Sequence, residues 1–251
     1  MIKNLSLLFF LAAASSYAMS YEQSSVQEVE ERPSLGFYLE YGTPDSYEIT
    51  YIEQNNNGLD QSGGESNGVI YENKTLDLTP TIGFAGHIPF IWDKYLDATA
   101  TVGGSQTKIT AKTTKTLDPD SNEIKLARRT RVHETFNIVI EGGPELGYPV
   151  YLDYKSQQII KPFVQVRGIF IKTFNTSPNS NWKNDQAFGW SYVGGVRWSI
   201  NQISFGAGIR SEYVFWEPGY DPVAGNVKKN TLKVEYVKEY KPWVTVEWGF
   251  Y

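Results

Sequence analysis

An all-β fold, an antiparallel up-and-down β-barrel of eight strands with long loop hairpins, is what this 251-residue sequence predicts. Three observations carry that prediction. Helical periodicity is hard to find after residue 34, while short period-two runs recur between polar, Gly-, Asn- and Pro-containing stretches. No apolar face of those runs holds a charged residue, and the connections between them alternate in length.

The chain opens with Met1 to Lys3, then the apolar run Leu5 to Ala14, then Ser16-Tyr17-Ala18, whose small residues occupy the positions a signal peptidase reads. Residues 1–18 are therefore expected to be a cleaved secretory signal, 19–34 a polar segment and 35–251 the barrel. The apolar run is shorter than the roughly 20 residues of a spanning helix. With no cysteine, neither a disulfide framework nor a lipid-modified N-terminal cysteine is expected. A net charge of −5 is mild for this length and gives no reason to expect nucleic acid as a partner.

Each run separates into two faces. The first, Leu35 to Gly42, sets Leu35, Phe37, Leu39 and Tyr41 against Tyr38 and Glu40. The second, Leu76 to Phe90, sets Leu76, Leu78, Ile82, Phe84 and Ile88 against Asp77, Thr79, Thr81, Ala85 and His87. The third, Leu96 to Ser105, sets Leu96, Ala98 and Val102 against Asp97, Thr99 and Thr101. The fourth, Phe136 to Tyr148, sets Phe136, Ile138, Ile140 and Leu146 against Asn137, Glu141 and Glu145. The fifth, Val164 to Phe170, sets Val164 and Val166 against Gln165 and Arg167. The sixth, Phe188 to Ile200, sets Trp190, Tyr192, Val196 and Trp198 against Ser191 and Arg197. The seventh, Ile203 to Phe215, sets Phe205, Ile209, Tyr213 and Phe215 against Ser204, Arg210 and Glu212. The eighth, Val244 to Phe250, sets Val244, Val246 and Trp248 against Thr245 and Glu247. Pro80 and Pro144 fall inside runs, where each removes a ladder donor and predicts a bulge or a shifted boundary.

The less apolar faces are rich in Gly, Ser and Thr with isolated charges of both signs, as a narrow lumen requires; a solvent face favours numerous large charges. A Lys or Arg on the opposite, lipid-facing side would cost about 2–4 kcal/mol at mid-membrane. Connections at 91–94 and 201–202 are short, those at 43–75, 106–134 and 216–241 long, and those at 149–161 and 175–187 moderate. Short periplasmic turns and long extracellular loops have that rhythm. Tyr41, Trp190, Tyr192, Tyr213 and Phe215 then form an outer aromatic belt, and Phe90, Trp92, Tyr148, Trp198, Trp248 and Phe250 a periplasmic one.

The segments "AFGWSYVGGVRWSINQISFGAGIRSEYVF" and "VTVEWGFY" resemble the final hairpin and terminal strand of small outer-membrane β-barrel proteins of the OmpA, OmpX and opacity type. "GGPELGYPVYLD" and "KPFVQVRGIF" resemble their central strands. The resemblance implies a membrane barrel filled by an Arg and Glu network.

Glu40, Asp77, Asp97, Glu141, Glu145, Arg167, Arg197, Arg210, Glu212 and Glu247 are the expected lumen charges. A barrel of eight strands is wide enough only for side chains to fill it, so these groups are expected to pair with one another. His87 and His133 fall at opposite ends, which predicts neither a two-histidine metal site nor a catalytic pair. No cofactor is expected. The stretch around "DPDSN" reads as a protruding hairpin carrying Lys108, Lys112, Lys115, Lys125, Arg128, Arg129 and Arg131, a candidate patch for an anionic partner. "SYEITYIE" and "NGVIYENKT" of the preceding acidic loop are candidates to pair beside it.

The expected protein is a monomeric, non-enzymatic barrel in a Gram-negative outer membrane, in contact with lipid and lipopolysaccharide, and structural or adhesive through its loops. A host or envelope surface ligand is the expected partner of those loops. A porin of ten or twelve strands, a lipid-modifying enzyme and a soluble exported sandwich are the rival readings.

Overall fold

The computed structural model describes residues 33–53, 73–90, 93–117, 124–153, 158–176, 186–222 and 228–249. The expected leader and most of the polar segment lie outside them. The described residues form one antiparallel sheet of eleven strands: β1 (Ser34–Glu40), β2 (Ser46–Glu53), β3 (Asn73–Leu78), β4 (Thr81–Phe90), β5 (Asp93–Leu117), β6 (Ile124–Gly147), β7 (Val150–Asp153), β8 (Gln158–Asn175), β9 (Gln186–Ile200), β10 (Ile203–Pro222) and β11 (Lys228–Gly249). The path β1-β4-β5-β6-β8-β9-β10-β11 closes into a ring because β11 also pairs with β1. The other three strands extend members of the ring: β2 runs along β11 beyond β1, β3 along β5 beyond β4, and β7 along β8 beyond β6. We call the end that carries Ser34, Gly249 and the β9–β10 turn the lower end. That turn takes only two residues, with Asn201 at φ 54°, a left-handed conformation that asparagine tolerates.

Two interruptions change which face of the chain points inward. At Thr79-Pro80 the proline has no N–H to donate, so the ladder stops at Leu78 and restarts at Thr81. Above the break Leu76 is buried and Asp77 exposed, whereas below it Thr81, Ala85 and His87 point inward. The expected single run from Leu76 to Phe90 is therefore two strands, and Asp77, expected in the lumen, lies outside opposite Lys108. Pro144 by contrast stays within β6, where its ladder with β5 continues at Ala98.

The second interruption separates β1 from β2 and faces a bulge in β11. There the register with β10 jumps from Arg210↔Lys241 to Glu212↔Lys238, and Tyr240 takes φ 54°. The Glu239 N–H and the Lys241 ammonium donate to the Asp45 carboxylate at 2.6 and 2.8 Å, tying the bulge to the β1–β2 link. Above the bulge β11 buries Leu232, Val234, Tyr236 and Lys238; below it, Trp243, Thr245 and Glu247.

The outcome is a barrel whose polarity inverts along its axis. In the lower part the outside is apolar, with Phe37, Ile82, Phe84, Val196 and Trp198 exposed, and the inside is polar. In the upper part Glu48, Asp77, Lys108, Lys112 and Glu134 are on the outside, while Ile49, Leu76, Ile109, Trp216 and Leu232 pack within.

Several stretches expected as connections are strand. β10 continues to Pro222 and β11 starts at Lys228, and β7 and β8 occupy most of 149–161. β3 pairs beside the β5–β6 hairpin as expected of "NKT", but β2 pairs with β11 instead. Among the described residues no backbone ladder joins β2 to β3. That gap is bridged by side chains: Lys74 Nζ donates to the Ile49 carbonyl at 2.6 Å, and the Tyr47 hydroxyl to the Lys74 carbonyl at 3.4 Å.

Candidate functional site in the charged lumen

Period-two alternation on the closed ring aims one set of side chains at the axis. Four layers result. The lowest is an ion cluster of His87 (β4), Asp97 (β5), Glu145 (β6), Lys161 and Gln165 (β8), Arg197 (β9) and Glu247 (β11), all buried. Lys161 Nζ donates to Asp97 Oδ2, which His87 Nε2 also approaches at 3.0 Å. Arg197 binds Glu145 through both terminal guanidinium nitrogens, Nη2 at 3.0 Å, and lies 3.9 Å from Glu247. Gln165 Nε2 donates to the same Glu145, and the Ser34 hydroxyl to Glu247 at 2.5 Å.

Above it is a waist of Tyr38, Ala85, Phe163, Val193 and Trp243. Phe163 and Trp243 meet edge to face at 6.0 Å. Arg197 lies over the Phe163 ring at 5.3 Å and Arg167 over Trp243 at 5.2 Å, so the waist is gripped from both sides by guanidinium groups. Gly103 is required here, because a Cβ at that position would come within 2.2 Å of the Tyr38 hydroxyl.

The third layer is an upper ion cluster. Arg210 reaches Glu40 at 2.8 Å and Glu141 and Glu212 at 2.7 Å each. Lys238 bridges Glu40 and Glu212 at 3.1 and 2.8 Å, and Arg167 lies 3.5 Å from Glu141. Three carboxylates face three permanent cations, which is the condition under which buried charges persist. The fourth layer is an apolar roof built from Ile49, Leu76, Ile109, Val139, Ile169, Ile171, Val214, Trp216, Leu232 and Val234. Its one indole N–H donates to Thr173 at 2.7 Å.

The expected lumen residues other than Asp77 are thus buried inside the ring, divided between two clusters. Lys161 and Lys238 complete those clusters, and the period-two pattern points to neither. Lys161 sits just before Pro162 in a stretch read as a connection, and Lys238 belongs to a strand whose alternation the bulge interrupts. In the expected anionic-partner patch, Lys108 and Lys112 are exposed on the outer face, with Lys108 held 3.3 Å from Glu134. Arg131, opposite Ala111, is exposed on the other face of the hairpin. The side chains of Lys115, Lys125, Arg128 and Arg129 lie outside those described.

His87, Asp97 and Glu145 offer ligand atoms within 4.8 Å of one another, as do Glu40, Glu141 and Glu212. In both groups the carboxylates already hold Lys or Arg, so the arrangement serves first to neutralise charge. His133 is buried in the upper part, far from either cluster along β6.

Ring closure, layered packing and a paired ionic interior define a closed antiparallel β-barrel with a filled lumen. Among solved structures it is similar to the crystal structure of the outer membrane protein OprG from Pseudomonas aeruginosa, at 11% identity and a TM-score of 0.48, over 88% of this chain and 96% of that one. No family model and no curated protein matches the chain.

Proposed function

We propose that the chain is a non-enzymatic barrel of a Gram-negative outer membrane, crossing it with eight strands. Its role is structural or adhesive, through the upper end, and it acts as a monomer. The inversion of polarity along the axis carries this reading. Burying about 25 cal/mol per Å2 of apolar surface favours lipid around the lower outer face, where Phe37, Phe84, Ile88, Trp190 and Trp198 are exposed. The same energetics favour water around the upper outer face, with its Glu, Asp and Lys side chains. A soluble sandwich has no use for such an inversion.

The short β9–β10 turn, Ser34 and Gly249 then belong to the periplasmic side, and the β5–β6 hairpin protrudes outside. Lys108, Lys112 and Arg131 on that hairpin suit lipopolysaccharide phosphates or an anionic host or envelope surface. Filling by ion pairs, waist and roof supports a plug over an open porin. Heat-modifiable gel mobility in the outer-membrane fraction of an expressing cell is the expected result, and recovery as a soluble periplasmic protein would overturn the proposal.

A further inference from the structure

Among the described residues six buried carboxylates face five buried Lys and Arg side chains. The upper ion cluster takes three of each, Glu40, Glu141 and Glu212 against Arg167, Arg210 and Lys238. The lower cluster is left with Asp97, Glu145 and Glu247 against Lys161 and Arg197, one positive charge short. Over the whole lumen the shortfall is the same, so it does not depend on which cluster owns Arg167. A buried ionised carboxylate without a compensating cation is among the costliest groups a protein interior can hold.

His87 stands where the missing charge is needed. It is 3% exposed, pairs in the ladder with Ser34 of β1 and Thr99 of β5, and aims Nε2 at Asp97 Oδ2 at 3.0 Å and at Glu145 Oε1 at 4.0 Å. A lone pair pointed at two carboxylates would be repelled, so this nitrogen carries a hydrogen. Around it lie Lys161 and Gln165 of β8, Arg197 of β9 and Glu247 of β11, whose carboxylate takes the Ser34 hydroxyl. None of these supplies a third cation. A proton on His87 does, and it gives the lower cluster the three-to-three balance of the upper one. We propose that the lower ion cluster is a proton-linked lock, electrically complete only while His87 is an imidazolium. When that proton leaves, one carboxylate is uncompensated, and Glu247, 3.9 Å from Arg197, makes the longest ion pair of the three. The balance concerns the interior alone and is independent of which solvent surrounds the barrel.

The chain has two histidines, so His133→Gln leaves His87 as the single imidazole. In that full-length background, folded in detergent micelles near pH ~6, urea midpoints are compared. His87→Gln is expected to lower the midpoint. Glu247→Gln is also expected to lower it, because three cations then face two carboxylates. The two changes together should recover most of the loss, since two carboxylates then face two cations. Were His87 neutral, Glu247→Gln alone would relieve an excess negative charge and raise the midpoint, and that result overturns the proposal, as does an unchanged midpoint in His87→Gln. Raising the pH from about 6 to about 9 should lower the midpoint of the single-histidine chain, because the imidazolium contributes at the acid end and is lost as its proton leaves. His87→Gln should stay flat over that window, and parallel profiles count against the lock. Glu247→Gln, read in the unaltered chain, decides the question if the histidine variants do not fold.

Discussion

Arg210 Nη1 stands 2.8 Å from Glu40 Oε2, joining β10 to β1 across the lumen, and the same guanidinium binds Glu141 of β6. Arg210→Met keeps the volume of the stem but leaves three buried carboxylates facing only Arg167 and Lys238. Removing one partner from a buried network typically costs about 3–5 kcal/mol. The expected outcome is a lower urea midpoint for the reconstituted barrel, and an unchanged midpoint would deny the cluster its stabilising role.

Val196 and Arg197 are neighbours in sequence with opposite surroundings: Val196 is 46% exposed on the outer face, and Arg197 is 4% exposed against Glu145. With lipid around the lower outer face, as proposed, Val196→Arg should impair assembly by about 2–4 kcal/mol, the cost of a cation at mid-membrane. Arg197→Lys, which keeps the charge and loses only the two-pronged contact, should assemble. Comparing the heat-modifiable fractions of the two variants decides between them.

The reversal at Thr79-Pro80 makes a prediction opposite to simple alternation. Leu76→Asp would bury an unpaired charge in the roof, and loss of folded protein in a thermal melt is expected. Asp77→Leu on the exposed face should leave the melt within about 0.5 kcal/mol of the parent. If Asp77→Leu proved the more damaging change, the strand break would be misplaced.

Burial pushes the His133 imidazole down to about 4, partly opposed by a hydrogen bond to the Pro218 backbone. An unfolded chain takes up that proton near 6.5, so between these values the unfolded state binds more protons and stability falls as pH falls. His133→Gln should flatten this part of the stability profile, read from urea midpoints across the window. An acid slope that survives in the variant would belong to other groups.

What the sequence reveals and what it hides have the same physical origin. Arg197, Arg210 and Glu141 are legible because each lies in an unbroken period-two run with large apolar neighbours on the other face. Asp77 misleads because a single proline reverses the alternation three residues later, and nothing in the spacing of Leu76 and Leu78 distinguishes an apolar outer face from a roof inside. Lys238 is hidden by the bulge at Tyr240, a backbone conformation that no side-chain pattern announces. The upper parts of β10 and β11 read as a loop because their apolar and polar faces exchange sides at the bulge, so a search for one kind of outer face ends where the other begins.

The Thr79-Pro80 break and the Tyr240 bulge also act as a depth gauge. For a barrel seated in a bilayer, sinking by one residue step, about 3.3 Å, starts to carry Lys108 and Glu134 towards hydrocarbon. Rising by the same step starts to bare Phe84 and Val102 to water. Vertical drift is resisted in both directions, so a membrane of the wrong thickness is met by thinning or thickening of the lipid around a barrel that keeps its level.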